Sequence, residues 1–199
     1  MHGSTTQARL EAVYRVAAEQ AGYFTSDQAR SAGLSYRQLT YHTQRRRFER
    51  VALGLYRLVL FPPSSLEDLF AAVLLVGPMS VVSHDSALAL YELSDVLPAA
   101  IHLTVPRNTS RRHQGVKLHR NRLRADEITR YAGLPVTTPA RTLADMAAVL
   151  DSEQALQAIA QALDRGLATK EAIAEAGRRR GGRVQRLLEE ALLQEVGND

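Results

Sequence analysis

Apolar residues near the start of the chain recur at helical intervals. Leu10, Val13, Ala17 and Ala21 fall on one stripe, which predicts a first helix over residues 5–21. Thr25, with Gln28 three positions on, has the form of a capping box and opens a second helix over 25–32. Gly33-Leu34 makes a turn. Ser35 is a good N-cap for a third helix over 35–46, in which Leu39 turns inward beside Leu34. From 48 to 59 the pattern becomes a short apolar hairpin folded at Gly54, and Pro62-Pro63 closes the unit. Three short helices and a hairpin in about 60 residues form a small domain able to fold alone.

Beyond this point the periodicity is mostly helical. Ser64 caps a helix with the stripe Leu66, Leu69, Phe70, Val73 and Leu74, ended by Gly77-Pro78. A helix over 83–93 turns Ala87, Leu88 and Tyr91 inward. Residues 101–105 and 115–119 read as strands separated by the polar loop 107–114. Thr138-Pro139 opens a helix with proline in its first position, carrying Leu143, Met146 and Ala147. Helices over 152–163 and 169–176 follow, and Gly181-Gly182 separates them from a last amphipathic helix over 184–195. The fold class expected is therefore α+β. Residues 1–62 form a winged helix-turn-helix, followed over 63–199 by a mixed, mainly helical domain with a small sheet.

Charge changes what the third helix means. Residues 35–57 hold six arginines against one acid, Glu49. Arg37, Thr40, Tyr41, Gln44 and Arg45 share one helix face, and Arg46, Arg47 and Arg50 carry positive charge past its end. Guanidinium forks, an amide and a phenol are groups that read base edges or hold phosphates, and a helix in this setting lies in the major groove of DNA. The candidate DNA-facing set is Ser35, Tyr36, Arg37, Gln38, Thr40, Tyr41, His42, Gln44, Arg45, Arg46, Arg47, Arg50 and Arg57. Arginine outnumbers lysine 23 to 2 along the whole chain, so genomic base composition competes as an explanation. The agreement of capping, turn, hairpin and charge favours DNA.

No lysine or arginine occurs from 58 to 106, whereas eight basic residues lie between 107 and 130. Of these, Arg107, Arg111, Arg112, Lys117, Arg120, Arg122 and Arg124 either widen a DNA footprint, meet an acidic face of a partner protein, or form a solvated loop. The run Arg178-Arg179-Arg180, with Arg183 and Arg186, admits the same three readings, with a solvated loop favoured beside Gly181-Gly182.

Composition narrows the function classes. The 199 residues are 45% hydrophobic, carry a net charge of +4 and include no cysteine. No apolar run approaches the roughly 18 residues that a membrane span requires. Without cysteine or a secretory leader, a cytoplasmic protein without membrane partners is expected. Lys117 and Lys170 lack the acid two positions earlier that a carboxylate–lysine nuclease uses, and neither a phosphate loop nor a G-x-S-x-G turn is present. His84-Asp85-Ser86 has the residue types of a triad, but neighbours in a helix do not face one another, so helix-start capping is preferred. His102, His113 and His119 lack cysteine companions or tight ligand spacing, so no metal, cofactor or catalytic residue is assigned.

Several segments resemble the AbiEi family of bacterial antitoxins. They are Gly33-Leu34-Ser35, Arg50-Val51 with Gly54-Leu55-Tyr56-Arg57, residues 83–90 (Ser-His-Asp-Ser-Ala-Leu-Ala-Leu), and residues 133–145, which contain Thr-Pro-Ala-Arg-Thr-Leu. The likeness covers residues 5–150. One departure is the run Arg45-Arg46-Arg47, where the family often has a glycine; it points to a longer third helix. The resemblance implies a winged domain that binds inverted repeats in its own promoter and represses the operon. It also implies a second domain that opposes a nucleotidyltransferase-like toxin. The alternatives are a regulator with a sensing domain and no toxin, or an enzyme that modifies its partner. The operator, the toxin's target and the oligomeric state are not written in the residues.

Overall fold

The computed structural model describes residues 2–93, 97–107 and 113–196, which form two compact units. The first comprises Met1–Pro78 with Ala132–Leu134; the second comprises Met79–Tyr131 with Pro135–Asp199.

In the first unit, α1 (His2–Ala18) is followed by β1 (Tyr23–Thr25), α2 (Ser26–Ser31), α3 (Tyr36–Gln44), β2 (Phe48–Ala52), β3 (Leu55–Leu58) and α4 (Glu67–Val76). The stripe on α1 buries Leu10, Val13 and Ala17 against Phe24, Leu34, Leu39, Phe48 and Leu58. Phe24 meets Phe48 edge-on with ring centroids 4.9 Å apart and stacks on Tyr56 at 5.7 Å. Full burial of an aromatic or aliphatic side chain is worth about 1.5–3 kcal/mol, so this cluster holds the unit together.

The hairpin is in fact one side of a three-stranded antiparallel sheet, ordered β1-β3-β2. Strand β1 has no counterpart in the sequence pattern, because three residues between two helices are too few to show a period of two. Helix α4 packs on β1 and β3, which brings it into the first unit. Its start differs slightly from expectation: the Ser64 hydroxyl accepts the Leu66 amide one turn early, and the helix proper begins at Glu67.

The second unit contains β4 (Val81–Val82), α5 (His84–Leu90), β5 (Ile101–Val105), β6 (Val116–Arg120), a 3-10 turn at Ala125–Glu127, β7 (Ile128–Tyr131), β8 (Leu134–Thr137), α6 (Pro139–Met146), α7 (Ser152–Asp164), α8 (Lys170–Arg180) and α9 (Gly182–Val196). Its mixed sheet runs β6-β5-β4-β8-β7, with β4–β5 antiparallel and both β4–β8 and β5–β6 parallel. The α+β class holds, and the sheet has five strands where the sequence pattern predicts two.

Helix α6 is buried all round. Thr138 caps it, accepting the Arg141 amide, and Pro139 sits where a missing N–H costs nothing. The Arg141 guanidinium is buried with it, 2.7 Å from Glu127 and 2.9 Å from Asp145. Arg180 reaches the same Asp145 at 3.3 Å. Helix α8 therefore runs to Arg180 instead of stopping near 176. Arg178 and Arg179 pair with Glu175 at 2.9 and 3.0 Å, and Arg179 also pairs with Asp126 at 3.0 Å. The run 178–180 is thus the last turn of a helix and not a solvated loop. Gly181, at φ +68, ends it.

A candidate nucleic-acid interface

Helix α3 is fixed at both ends. At its start the Ser35 hydroxyl accepts the Gln38 amide, while the Gln38 side chain accepts the Ser35 amide at 2.9 Å. This reciprocal capping box commits the Gln38 carbonyl oxygen to the backbone, so its side-chain N–H groups are what it could offer to DNA. Gly33, at φ +88, makes the turn from α2; a methyl group there would press within 3.2 Å of the Arg9 side chain. At the other end the helix stops at Gln44. The Arg47 amide donates to the His42 carbonyl and the Arg46 amide to the Thr43 carbonyl, both at 3.0 Å, with Arg46 left-handed at φ +53. These bonds form a Schellman motif with arginine where glycine is usual. The helix is therefore not lengthened by the arginine run, contrary to expectation.

Between these caps the faces divide cleanly. Leu39 is buried and so is His42, only 3% exposed, its ring 5.2 Å from Phe48. Burial, and then the nearby Arg47 charge, push the His42 pKa below its ordinary value. His42 is therefore a core residue and leaves the DNA-facing set. Arg37, Thr40, Tyr41, Gln44 and Arg45 are all exposed, as are Ser35, Tyr36, Arg46, Arg47 and Arg50. The Thr40 hydroxyl donates back to the Tyr36 carbonyl at 3.0 Å, which leaves its methyl group and oxygen lone pairs facing outward. Arg45 lies 5.4 Å over the Tyr41 ring, a cation–π contact that orders both side chains.

Arg57 also leaves the set. It lies on β3, the middle strand, with its side chain 16% exposed and 2.6 Å from Glu67. Its second bond goes to the Phe61 carbonyl, so it joins the sheet to the start of α4. One cation was missed: Arg30, from the last turn of α2, reaches within 5.8 Å of the exposed Tyr36 ring. No spacing rule joins residues of different helices, so nothing in the chain's periodicity marks this pair.

In the second unit Arg107, Lys117, Arg120, Arg122 and Arg124 are exposed, with Arg124 paired to Asp126 at 3.1 Å. Arg111 and Arg112 lie outside the described residues. His102 and His119, grouped in the sequence reading, lie 5.0 Å apart, and His84 joins them by stacking on His119 at 3.5 Å. Burial first, then mutual proximity, depress His84 to about 3 and His119 to about 4. The Asp85 carboxylate is 2.6 Å from His102 Nδ1, and the Ser86 hydroxyl accepts the His102 amide at 2.8 Å. The segment 84–86 therefore ties α5 to β5 instead of capping a helix. Ser83 is fully buried with its oxygen accepting from Thr104, so no nucleophile faces solvent there. Among the described residues, no group of three or more His, Cys, Asp or Glu is placed to hold a metal ion.

Comparison with known proteins assigns both units. Residues 76–194 match the model of the AbiEi antitoxin C-terminal domain, and residues 11–59 match that of a transcriptional regulator described as AbiEi antitoxin. The chain belongs to the AbiEi antitoxin family. The crystal structure of the RV2827C protein from Mycobacterium tuberculosis is similar in fold, with a TM-score of 0.53 at 15% identity over 90% of this chain and 74% of that one. No curated protein matches the sequence. The family motif Thr-Pro-Ala-Arg-Thr-Leu is the buried α6 with its ion-paired Arg141, and Ser-His-Asp-Ser is the α5–β5 tie. Both motifs of the AbiEi second domain are thus structural cores of this unit. Among the described residues, no helix is long and apolar enough to cross a membrane.

Proposed function

We propose that this AbiEi family member is a cytoplasmic, DNA-binding antitoxin that represses its own operon and neutralises a nucleotidyltransferase-like toxin. The first unit, which runs past the expected boundary at 62 to take in α4, would serve the DNA, and the second unit the toxin. The observation that carries the DNA half is the division of α3. One side anchors Leu39 and His42 in the core, and the other presents Arg37, Thr40, Tyr41, Gln44 and Arg45 without a carboxylate partner among the described residues. Arg46, Arg47 and Arg50 flank this face where phosphates would run, and the exposed Tyr36 extends it toward α2, where Arg30 is paired with Asp27 at 3.6 Å. The toxin half follows from family membership, and no cofactor or catalytic step is assigned to it.

A gel shift on the native upstream region, which should contain inverted repeats, tests the first half. Four to five phosphate contacts per copy (on the order of the exposed arginines) give a slope near −4 for log affinity against log salt. Absence of any shift at low salt would overturn the DNA assignment. Co-expression with the neighbouring gene product tests the second half by growth rescue; failure to rescue favours a regulator without a toxin. The mass of a toxin incubated with this protein and nucleotide separates modification from binding.

A further inference from the structure

Helix α3 carries two threonines, and both hydroxyls turn back on the helix. Thr40 donates to the Tyr36 carbonyl at 3.0 Å, and Thr43 to the Leu39 carbonyl at 2.9 Å. Thr43 is half-buried, whereas Thr40 is exposed. A threonine in a helix otherwise divides its time between two rotamers; this bond selects one and fixes where the methyl group points. With its proton committed to the backbone, the Thr40 hydroxyl has none to donate to a phosphate or a base. What Thr40 offers outward is a methyl group and the lone pairs of one oxygen.

Arg37, Thr40 and Gln44 form one row along the helix, at i, i+3 and i+7. Arg37 and Gln44 stand opposite the buried Leu39 and His42, and their side chains have no hydrogen bond or ion pair among the described residues. A helix that presents this row to a major groove brings the short Thr40 side chain against a base edge, between two longer ones that reach further.

We propose that Thr40 reads the 5-methyl group of a thymine in the operator. The assignment rests on the DNA-binding reading of α3 and names one base that this face recognises. The thymine methyl is the one apolar group that the four bases show in the major groove, so it is the partner that rewards a fixed, exposed methyl group. A phosphate calls for a donor, which Thr40 no longer has. Its lone pairs suit an amino proton of adenine, but Gln44, one turn on, presents both the donor and the acceptor that adenine matches. The methyl group is therefore the part of Thr40 left to discriminate between bases.

The test uses the full-length protein and the duplex that it protects upstream of its own gene. Each thymine of that duplex is replaced singly by deoxyuridine, which lacks the methyl group and keeps the base pair. Fluorescence anisotropy should show at least one replacement that weakens wild-type binding by about fourfold, equivalent to roughly 0.8 kcal/mol for one methyl group returned to water. T40S, which keeps the hydroxyl, should bind the unmodified duplex more weakly by the same factor and be indifferent to that replacement. T40V, which keeps an outward methyl group and loses the oxygen, should bind both duplexes as the wild type does. Undiminished wild-type affinity at every deoxyuridine overturns the contact, and this arm needs no variant to fold. A deoxyuridine effect that persists in T40S assigns the thymine to another residue and also overturns it. So does loss in T40V with full affinity in T40S, because the oxygen is then what is read. In each of these cases the DNA-binding reading stands. A wild-type protein that protects no duplex refutes that reading, and this contact with it.

Discussion

Arg46 occupies a position where glycine would be the more stable choice. Its φ of +53 closes α3, and a side chain in the left-handed region costs about 1–2 kcal/mol relative to glycine's freedom there. Glycine gives back roughly 0.5–1 kcal/mol through its more disordered unfolded chain. Arg46→Gly should therefore stabilise the winged unit by about 0.5–1 kcal/mol, a two- to fivefold change in its opening equilibrium. Arg46→Ala keeps the strain and removes only the guanidinium, so it separates the two effects. Hydrogen exchange of the Arg47 amide, which donates to the His42 carbonyl at 3.0 Å, reports the stability of this helix end directly. It should slow in the glycine variant and remain near wild-type with alanine. Both variants should lose one phosphate contact, seen as a salt slope shallower by about 0.9. Faster exchange in Arg46→Gly than in Arg46→Ala would refute the strain argument. An unchanged slope in both would show that Arg46 faces no phosphate, leaving the strain without a function in DNA binding.

Other changes should separate reading, scaffold and protonation. Tyr41→Ala or Arg45→Ala should cost about 1–3 kcal/mol in operator affinity by gel shift, and less on unrelated DNA, if either reads a base. Arg57→Ala leaves Glu67 half-buried without its partner, 2.6 Å away at present. It should lower stability to urea by about 2 kcal/mol while operator affinity of the folded protein stays the same. Arg141→Ala leaves the buried Glu127 without its guanidinium and Asp145 with Arg180 alone, and should destabilise the second unit by about 3–5 kcal/mol in the same assay. His84 and His119, lowered to about 3 and about 4, take up protons more readily when unfolded. Their contribution is fully present above the unfolded pKa of about 6.5 and falls as pH drops toward 4. Melting curves from pH 7.5 to 5 should show this decline, and H84Q/H119Q should flatten it.

Much of the first unit can be read from local pattern. The Thr25–Gln28 box, the Gly33 turn, the Leu10-Val13-Ala17 stripe and the hairpin at Gly54 each depend on neighbours in sequence, and all are present. The structural roles of two residues of α3 are also legible in the pattern. Ser35-x-x-Gln38 repeats the capping-box spacing of Thr25-x-x-Gln28, and His42 lies three residues after the inward Leu39. The remaining misses depend on partners far away in the chain. Strand β4 is two residues long and exists because Val82 pairs with Val136 beside it, a region it also meets through Thr137, 55 positions on. Arg57 sits among cationic residues in sequence and becomes structural only because the chain after Pro63 returns Glu67 to it. Likewise, the 178–180 run is helical because its acids come from Glu175 and, across the fold, from Asp126 and Asp145.

In a chain with 23 arginines, cationic residues alone identify no site. What separates them is whether the chain supplies their counter-charge. Arg57, Arg141, Arg179 and Arg180 are satisfied by its own carboxylates, and their desolvation is already offset, so a polyanion gains little by meeting them. Arg37, Arg45, Arg46, Arg47 and Arg50 have no carboxylate within ion-pair distance among the described residues, although Glu49 lies in the same stretch. Each keeps its full charge for an external anion, and they lie along one helix and the strand that follows it. Glu49 lies opposite Arg57, on the other face of β2 from Arg50, so Glu49→Arg raises the charge of the winged unit without breaking an ion pair. It should tighten operator binding and steepen its salt dependence by at most about one phosphate. Tighter binding with an unchanged slope would mean that Glu49 acts by repelling the duplex from a distance. Weaker binding would place the DNA on another face of the winged unit.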